Sequence, residues 1–172
     1  MGIFISEMEG KAVLGFRRSQ LLYDIENAAY IEGDVLEREK YHTRQLIQDV
    51  GQRGNVDRVT RIMDLAVARC VERLYPFTKQ EVEMPLLDDK FKEEPMYWIV
   101  MNLPENFSQT TLNYLEKLIH EFIVCRAVED WLSITNPAKS KIWQEKAEEH
   151  EKELLDNLKT RRGRVRRTLH PF

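Results

Sequence analysis

Four of the six prolines in this 172-residue chain, Pro76, Pro85, Pro95 and Pro104, fall between two strongly helical stretches. Proline lacks an amide donor and its ring clashes with the preceding turn, so no long helix can run through that interval. The chain therefore reads as two sets of helices separated by an extended stretch. Within it, Gln80–Leu86 and Tyr97–Leu103 have strand-like composition and are separated by the polar Asp88, Asp89 and Lys90. Together they predict a protruding β-hairpin or extended arm over about residues 78–106. Connections of this length are uncommon in compact domains and are usually functional, which makes the arm a candidate contact surface.

Before the prolines, Leu21, Leu22, Ile25, Ala28 and Ala29 follow helical spacing. Gly33 and Asp34 then read as an interruption with a capping acid, ahead of a second, weakly amphipathic helix running to about Val50. Gly51 to Asn55 predicts a turn, with Asn55 as the cap of the next helix. On that helix Val59, Ile62, Met63, Ala66, Val67, Cys70 and Leu74 share one side, and Asp57, Arg58, Arg61, Asp64 and Glu72 the other. After the prolines, Ser108 opens a helix striped with Leu112, Leu115, Ile119, Phe122 and Ile123. From Val124 to Leu132 its apolar residues spread most of the way round, as on a central helix. Asn136-Pro137 starts the last helix, whose Trp143, Ala147, His150, Leu154 and Leu158 make a narrow stripe amid Lys and Glu, and Gly163 ends it. The expected fold class is mainly α: a bundle of about four to five helices with the hairpin or arm. Residues 1–160 form a single domain and residues 161–172 a flexible tail.

That tail, RRGRVRRTLHPF, holds five arginines and no acid, whereas residues 1–160 hold 21 cations against 29 acids, a net −8. A duplex-binding domain spreads Lys and Arg over its folded surface to neutralise phosphates. Here the body would repel a nucleic acid that the tail attracts, so attraction between the tail and acidic protein surfaces fits better. At 42% hydrophobic and 32% charged, the composition is that of a globular protein. Apolar runs such as Trp98–Met101 are far short of the roughly 20 residues of a membrane span, and the N-terminus lacks a signal-peptide layout. Cys70 and Cys125 have neither CxxC nor zinc spacing and read as reduced core thiols.

Chemical motifs fail one by one. His120-Glu121 begins an HExxH pattern, but Val124 stands where the second ligand belongs. Glu39 and His42 fit one Glu-x-x-His unit, and a di-iron bundle needs two. No glycine pattern fits a phosphate loop, and no Ser or Cys sits in a nucleophile context. Convergence of Glu39, His42, His120 and Glu121 in space is the one route left to an acid–base or metal enzyme. Met1-Gly2 through Ser6 matches a myristoylation pattern but reads as an apolar terminal segment. Arg58, Arg61, Arg69 and Arg73 form a basic strip that, with acids interleaved, reads as a solvated face. No catalytic residue, cofactor or metal is expected.

The stretch LIHEFIVCRAVEDWLSITNPAKSKIWQEK, with Asp130, Trp131, Leu132, Asn136, Pro137 and Trp143, and the ending RVRRTLHPF, with Arg164, Arg166, Arg167, Pro171 and Phe172, carry a resemblance. Over about the last third of the chain, and more loosely over DLAVARCVERLYPFT, the sequence resembles small head–tail connector or head-completion proteins of tailed phages and prophages of gut bacteria. Such proteins are helical bundles with a protruding loop or hairpin that assemble as rings beneath the portal, their C-terminal segments reaching into it. The resemblance implies a structural protein, first in the host bacterial cytoplasm and then in the virion neck. It would self-associate into a ring and bind the portal and a neighbouring head-completion or tail protein, with no membrane. Arg161, Arg162, Arg164, Arg166, Arg167, Leu169, Pro171 and Phe172 are then the expected partner-docking residues. The alternative is a nucleic-acid-associated packaging or regulatory protein that uses the same arginines.

Overall fold

The structure is a computed structural model and describes residues 11–36, 40–80, 93–104 and 107–160. The fold is mainly helical, with one small two-stranded antiparallel sheet. Strand β1 (Lys11–Arg17) leads directly into helix α1 (Arg18–Asp34). Helix α2 (Tyr41–Gln48) and a short 3-10 turn (Asp49–Gly51) bring the chain to the long α3 (Arg53–Arg73), then a single turn, α4 (Tyr75–Thr78). Strand β2 (Met96–Asn102) precedes α5 (Gln109–Thr135) and α6 (Pro137–Thr160).

Helix α5 is the axis of the bundle. Its residues from Phe122 to Leu132 are buried almost all the way round, including Val124, Ala127, Val128 and Trp131. It packs most extensively on α6 and also touches α1, α2 and α3, which leaves only the narrow polar edge of Arg126, Glu129 and Asp130 to water over that stretch. Asn136 joins the two long helices, its amide closing α5 on the Leu132 carbonyl and its own carbonyl accepting from Lys139 and Ser140. Pro137 then stands at the first position of α6, where its missing donor costs nothing. As the narrow stripe predicts, α6 buries Ala147 and Leu154 with Trp143 and Leu158 half-buried beside them.

The sheet differs from the expectation in its pairing. The partner of the Tyr97–Leu103 strand is β1, in the register Lys11 to Asn102, Leu14 to Ile99 and Arg17 to Met96. Of the other proposed strand, Gln80 has no regular structure, and residues 81–86 lie outside the described residues. Period-two alternation puts Ala12, Leu14 and Phe16 on one face with Tyr97, Ile99 and Met101, and all six are buried in the core. The Tyr97 hydroxyl donates to Asp64 on α3 at 2.7 Å, which satisfies the one polar atom on that face.

Two local expectations are corrected. Gly33 does not break the first helix: α1 continues to Asp34, and the residue before α2 is Lys40. A Cβ at Gly33 would lie 2.8 Å from Gln48 Cγ and 3.1 Å from the Arg44 carbonyl oxygen, so the glycine is there to let α1 and α2 approach. Asp34 caps nothing and instead pairs with Arg44 on α2. Nor is Asn55 the cap of α3, which begins at Arg53 after an extended Gln52. The Asn55 amide turns back to donate to the Asp49 carbonyl at 2.7 Å and ties the helix to the turn before it.

Candidate docking surface

The inner face of the sheet is complete, which leaves the outer face to be explained. Alternation turns Val13, Gly15, Trp98 and Val100 outward, with Val13 opposite Val100 and Gly15 opposite Trp98. Trp98 is 45% exposed and Val100 39% exposed, although both lie in the middle of a strand. The indole lies across Gly15, where a Cβ would come within 2.6 Å of Cζ3. Glycine at that position lets the ring lie close against β1. Lys11 and Arg17, both exposed, mark the two ends of β1, and the strands carry no acid. The result is an apolar platform with cations at its ends.

A second exposed surface runs along α1. Tyr23 is 63% exposed, Tyr30 56% and Ile31 54%, all on the side away from the buried Leu21, Ile25 and Ala29. Glu26 lies among them, and Asp34 at the end of the helix is held by Arg44 of α2. Tyr23, Glu26 and Tyr30 line one side of an open groove of about 400 Å³, with Gln48, Gly51 and Gln52 on the other. Aromatic side chains with polar tips at such density on a helix surface are characteristic of protein interfaces.

The expected docking residues Arg161, Arg162, Arg164, Arg166, Arg167, Leu169, Pro171 and Phe172 lie outside the described residues; α6 carries the chain as far as Thr160. The arginine strip of α3 is exposed to solvent, as expected, and three of its members also reach acids on neighbouring helices. Arg58 donates to Asp130 on α5 at 2.7 Å, and Arg69 and Arg73 both hold Glu151 on α6, at 2.7 Å and 2.6 Å. Burial pushes the Glu151 carboxyl up, but the hydrogen bonds from Arg69 and Arg73 outweigh it and leave its pKa lowered. These arginines form a seam between α3 and the α5–α6 pair and do not offer a phosphate track.

Of the residues considered for acid–base or metal chemistry, the structure describes His42, His120 and Glu121. His120 Nε2 lies 2.9 Å from Asp24 on α1, in a shallow groove with Glu116 and Glu121, while His42 is exposed with its ring edge-on to Tyr41. Glu39 lies outside the described residues, and among the described residues no group of three or more His, Cys, Asp or Glu could hold a metal ion. Cys70 and Cys125 are both buried and free, and burial pushes their thiols up to about 12 and about 11. Among the described residues no helix is long and apolar enough to cross a membrane.

Of the two exposed surfaces, β2 falls within the arm expected as a contact surface, whereas β1 and the α1 face are not read as sites. Lys11-Ala-Val-Leu-Gly-Phe-Arg17 is an apolar run bounded by two cations, which is the available signal for β1. Its outward residues become visible only once the inward set is known. No protein-family description, curated protein or solved structure matches this chain.

Proposed function

We propose that the chain is a structural adaptor of the phage head–tail connector kind, which works by binding other proteins and turns over no substrate. The observation that supports this most directly is the outer sheet face, where Trp98 is seated on Gly15 and left 45% exposed. A tryptophan packed against a glycine in the middle of a sheet, with valines beside it and cations at the ends of the neighbouring strand, has the make-up of an interface anchor. The sequence resemblance over Asp130–Trp143 and the arginine-rich ending supplies the class of assembly: a ring on the portal, with residues 161–172 reaching toward it. The engagement of Arg58, Arg69 and Arg73 by carboxylates weighs against the nucleic-acid alternative, since three basic side chains of the body are already neutralised.

The test is reconstitution of the full chain with the portal of the same phage, scored by electron microscopy. Added density beneath the portal ring is the expected result. A portal that stays bare with the chain in excess would remove the connector role.

A further inference from the structure

Tyr23, Glu26 and Tyr30 share one exposed face of α1 at helical spacing, an acid between two aromatic side chains, and all three line the open groove of about 400 Å³. The Glu26 carboxylate is turned across that groove. A Cβ on Gly51, in the opposite wall, would collide with its Oε1 and Cδ, so the glycine is what gives the carboxylate its place. The other acids of α1 that lie near a partner are held: Asp24 by His120, Glu32 by Lys139 and Asp34 by Arg44. Glu26 is the exception, with no cationic partner among the described residues and no Lys or Arg lining the groove.

Two tyrosines around an unpaired carboxylate suit one chemical group. The face of an aromatic ring attracts a cation, and a carboxylate takes a guanidinium through two parallel bonds. A planar guanidinium does both at once, stacked on a ring with its edge on the acid, whereas an ammonium is a strongly hydrated point charge that gains less from stacking. We infer that the groove is a binding site for an arginine side chain of a partner protein, with the guanidinium between Tyr23 and Tyr30 and its edge on Glu26. The inference rests on the adaptor reading, in that it names what one surface of the adaptor takes up, but the site can be measured without the portal.

The probe is the capped peptide acetyl-Gly-Arg-Gly-amide, titrated into the isotope-labelled full chain at low salt and followed through its backbone amide shifts in NMR. Saturable shifts at Tyr23, Tyr30, Gly51 and Gln52 are expected, with a dissociation constant on the order of 1–10 mM for a single side chain in an open groove. Added salt should weaken the binding. Glu26→Gln and Gly51→Ala, both at exposed positions, should each weaken it at least about fivefold with the thermal midpoint unchanged. The second variant alters no charge and acts only by displacing the carboxylate. Replacing both tyrosines with leucine should weaken it at least about fivefold as well, and so should lysine or citrulline in place of the peptide's arginine. The inference is overturned by any of four results: no saturable shift up to about 50 mM peptide, shifts that map away from α1 and Gly51, equal binding of the lysine peptide, or binding unchanged in Glu26→Gln or Gly51→Ala. A bare portal alongside saturable arginine binding would remove the connector role and leave the site standing.

Discussion

The indole Nε1 of Trp131, near the C-terminal end of α5, donates a 2.9 Å hydrogen bond to the backbone carbonyl of Ile47 in the last turn of α2. Both residues are buried, Trp131 to 6% exposure and Ile47 completely. Carbonyls in a helix's last turn lack intrahelical partners, so a buried α2 end needs such a donor. One side chain thereby supplies core volume and fixes where a short helix stops. Trp131→Ala is expected to cost about 3–5 kcal/mol from lost packing. Trp131→Phe retains most of the volume but strands the carbonyl, for about 1–3 kcal/mol. Urea unfolding of the two variants would show this order, and an unchanged midpoint for Trp131→Ala would disprove the core placement.

Gly33 provides a test with opposing terms. In the last turn of a helix, alanine is intrinsically better than glycine by up to about 1 kcal/mol. The added Cβ, however, would meet Gln48 Cγ and the Arg44 carbonyl at 2.8 Å and 3.1 Å, and an overpacked contact of this kind typically costs about 1–3 kcal/mol. Steric cost is expected to win, because one of the neighbours is backbone. Gly33→Ala should lower the thermal midpoint; a rise would mean that α2 can shift freely away from α1.

Glu151 ties stability to pH. Its carboxyl titrates lower in the folded chain than in the unfolded one because Arg69 and Arg73 hold the charged form. A lowered folded pKa gives stability that is fully present above the unfolded value near 4.5 and is lost as pH falls through the folded value. Glu151→Gln should therefore destabilise the chain by about 1 kcal/mol at neutral pH, because two guanidinium groups, each about two-fifths exposed and so screened by solvent, lose their charged acceptor. The gap between native and variant midpoints should narrow as pH falls below 4.5 and close once pH has passed below the lowered folded value. A gap independent of pH would show that the seam acts through packing alone.

What could be read from the sequence follows the range of the interactions. The central character of α5 is legible because Val124, Cys125, Ala127, Val128, Trp131 and Leu132 are neighbours in the chain, and their spread round one helix is a local signal. Pro137 at the start of α6 is legible for the same reason. Strand β1 is not, because its partner β2 lies far along the chain, and a short apolar run is ambiguous until its partner is known. Gly33 misleads because glycine serves both for breaks and for close approach, and only the position of Gln48 decides between them. The arginine strip is legible as a solvated face, but its ion pairs are not, because the acceptors Asp130 and Glu151 lie on helices much later in the chain. For the docking surface, Trp98 could be placed on a strand but not on a face, since the face depends on the register with Gly15.

The ending RRGRVRRTLHPF separates the two functional alternatives at a single residue. Five arginines serve a carboxylate surface and a phosphate backbone equally well, since the planar guanidinium forms paired bonds with either. Leu169, Pro171 and Phe172 suit only a protein pocket, because a duplex backbone offers an aromatic end nothing apolar to enter. On assembly the arginines are expected to pair with acids of the portal or a neighbour, and Phe172 to anchor the end, as a buried aromatic commonly does. Phe172→Ala should then weaken portal binding by about 10-fold or more, with circular dichroism and thermal midpoint unchanged. Replacing Arg164, Arg166 and Arg167 with Ala should weaken binding as well and flatten its dependence on salt. If the tail instead serves nucleic acid, Phe172→Ala is silent and affinity for duplex DNA falls steeply with salt. Salt-sensitive DNA binding that disappears on deleting residues 161–172, with portal binding untouched, would decide for the nucleic-acid role.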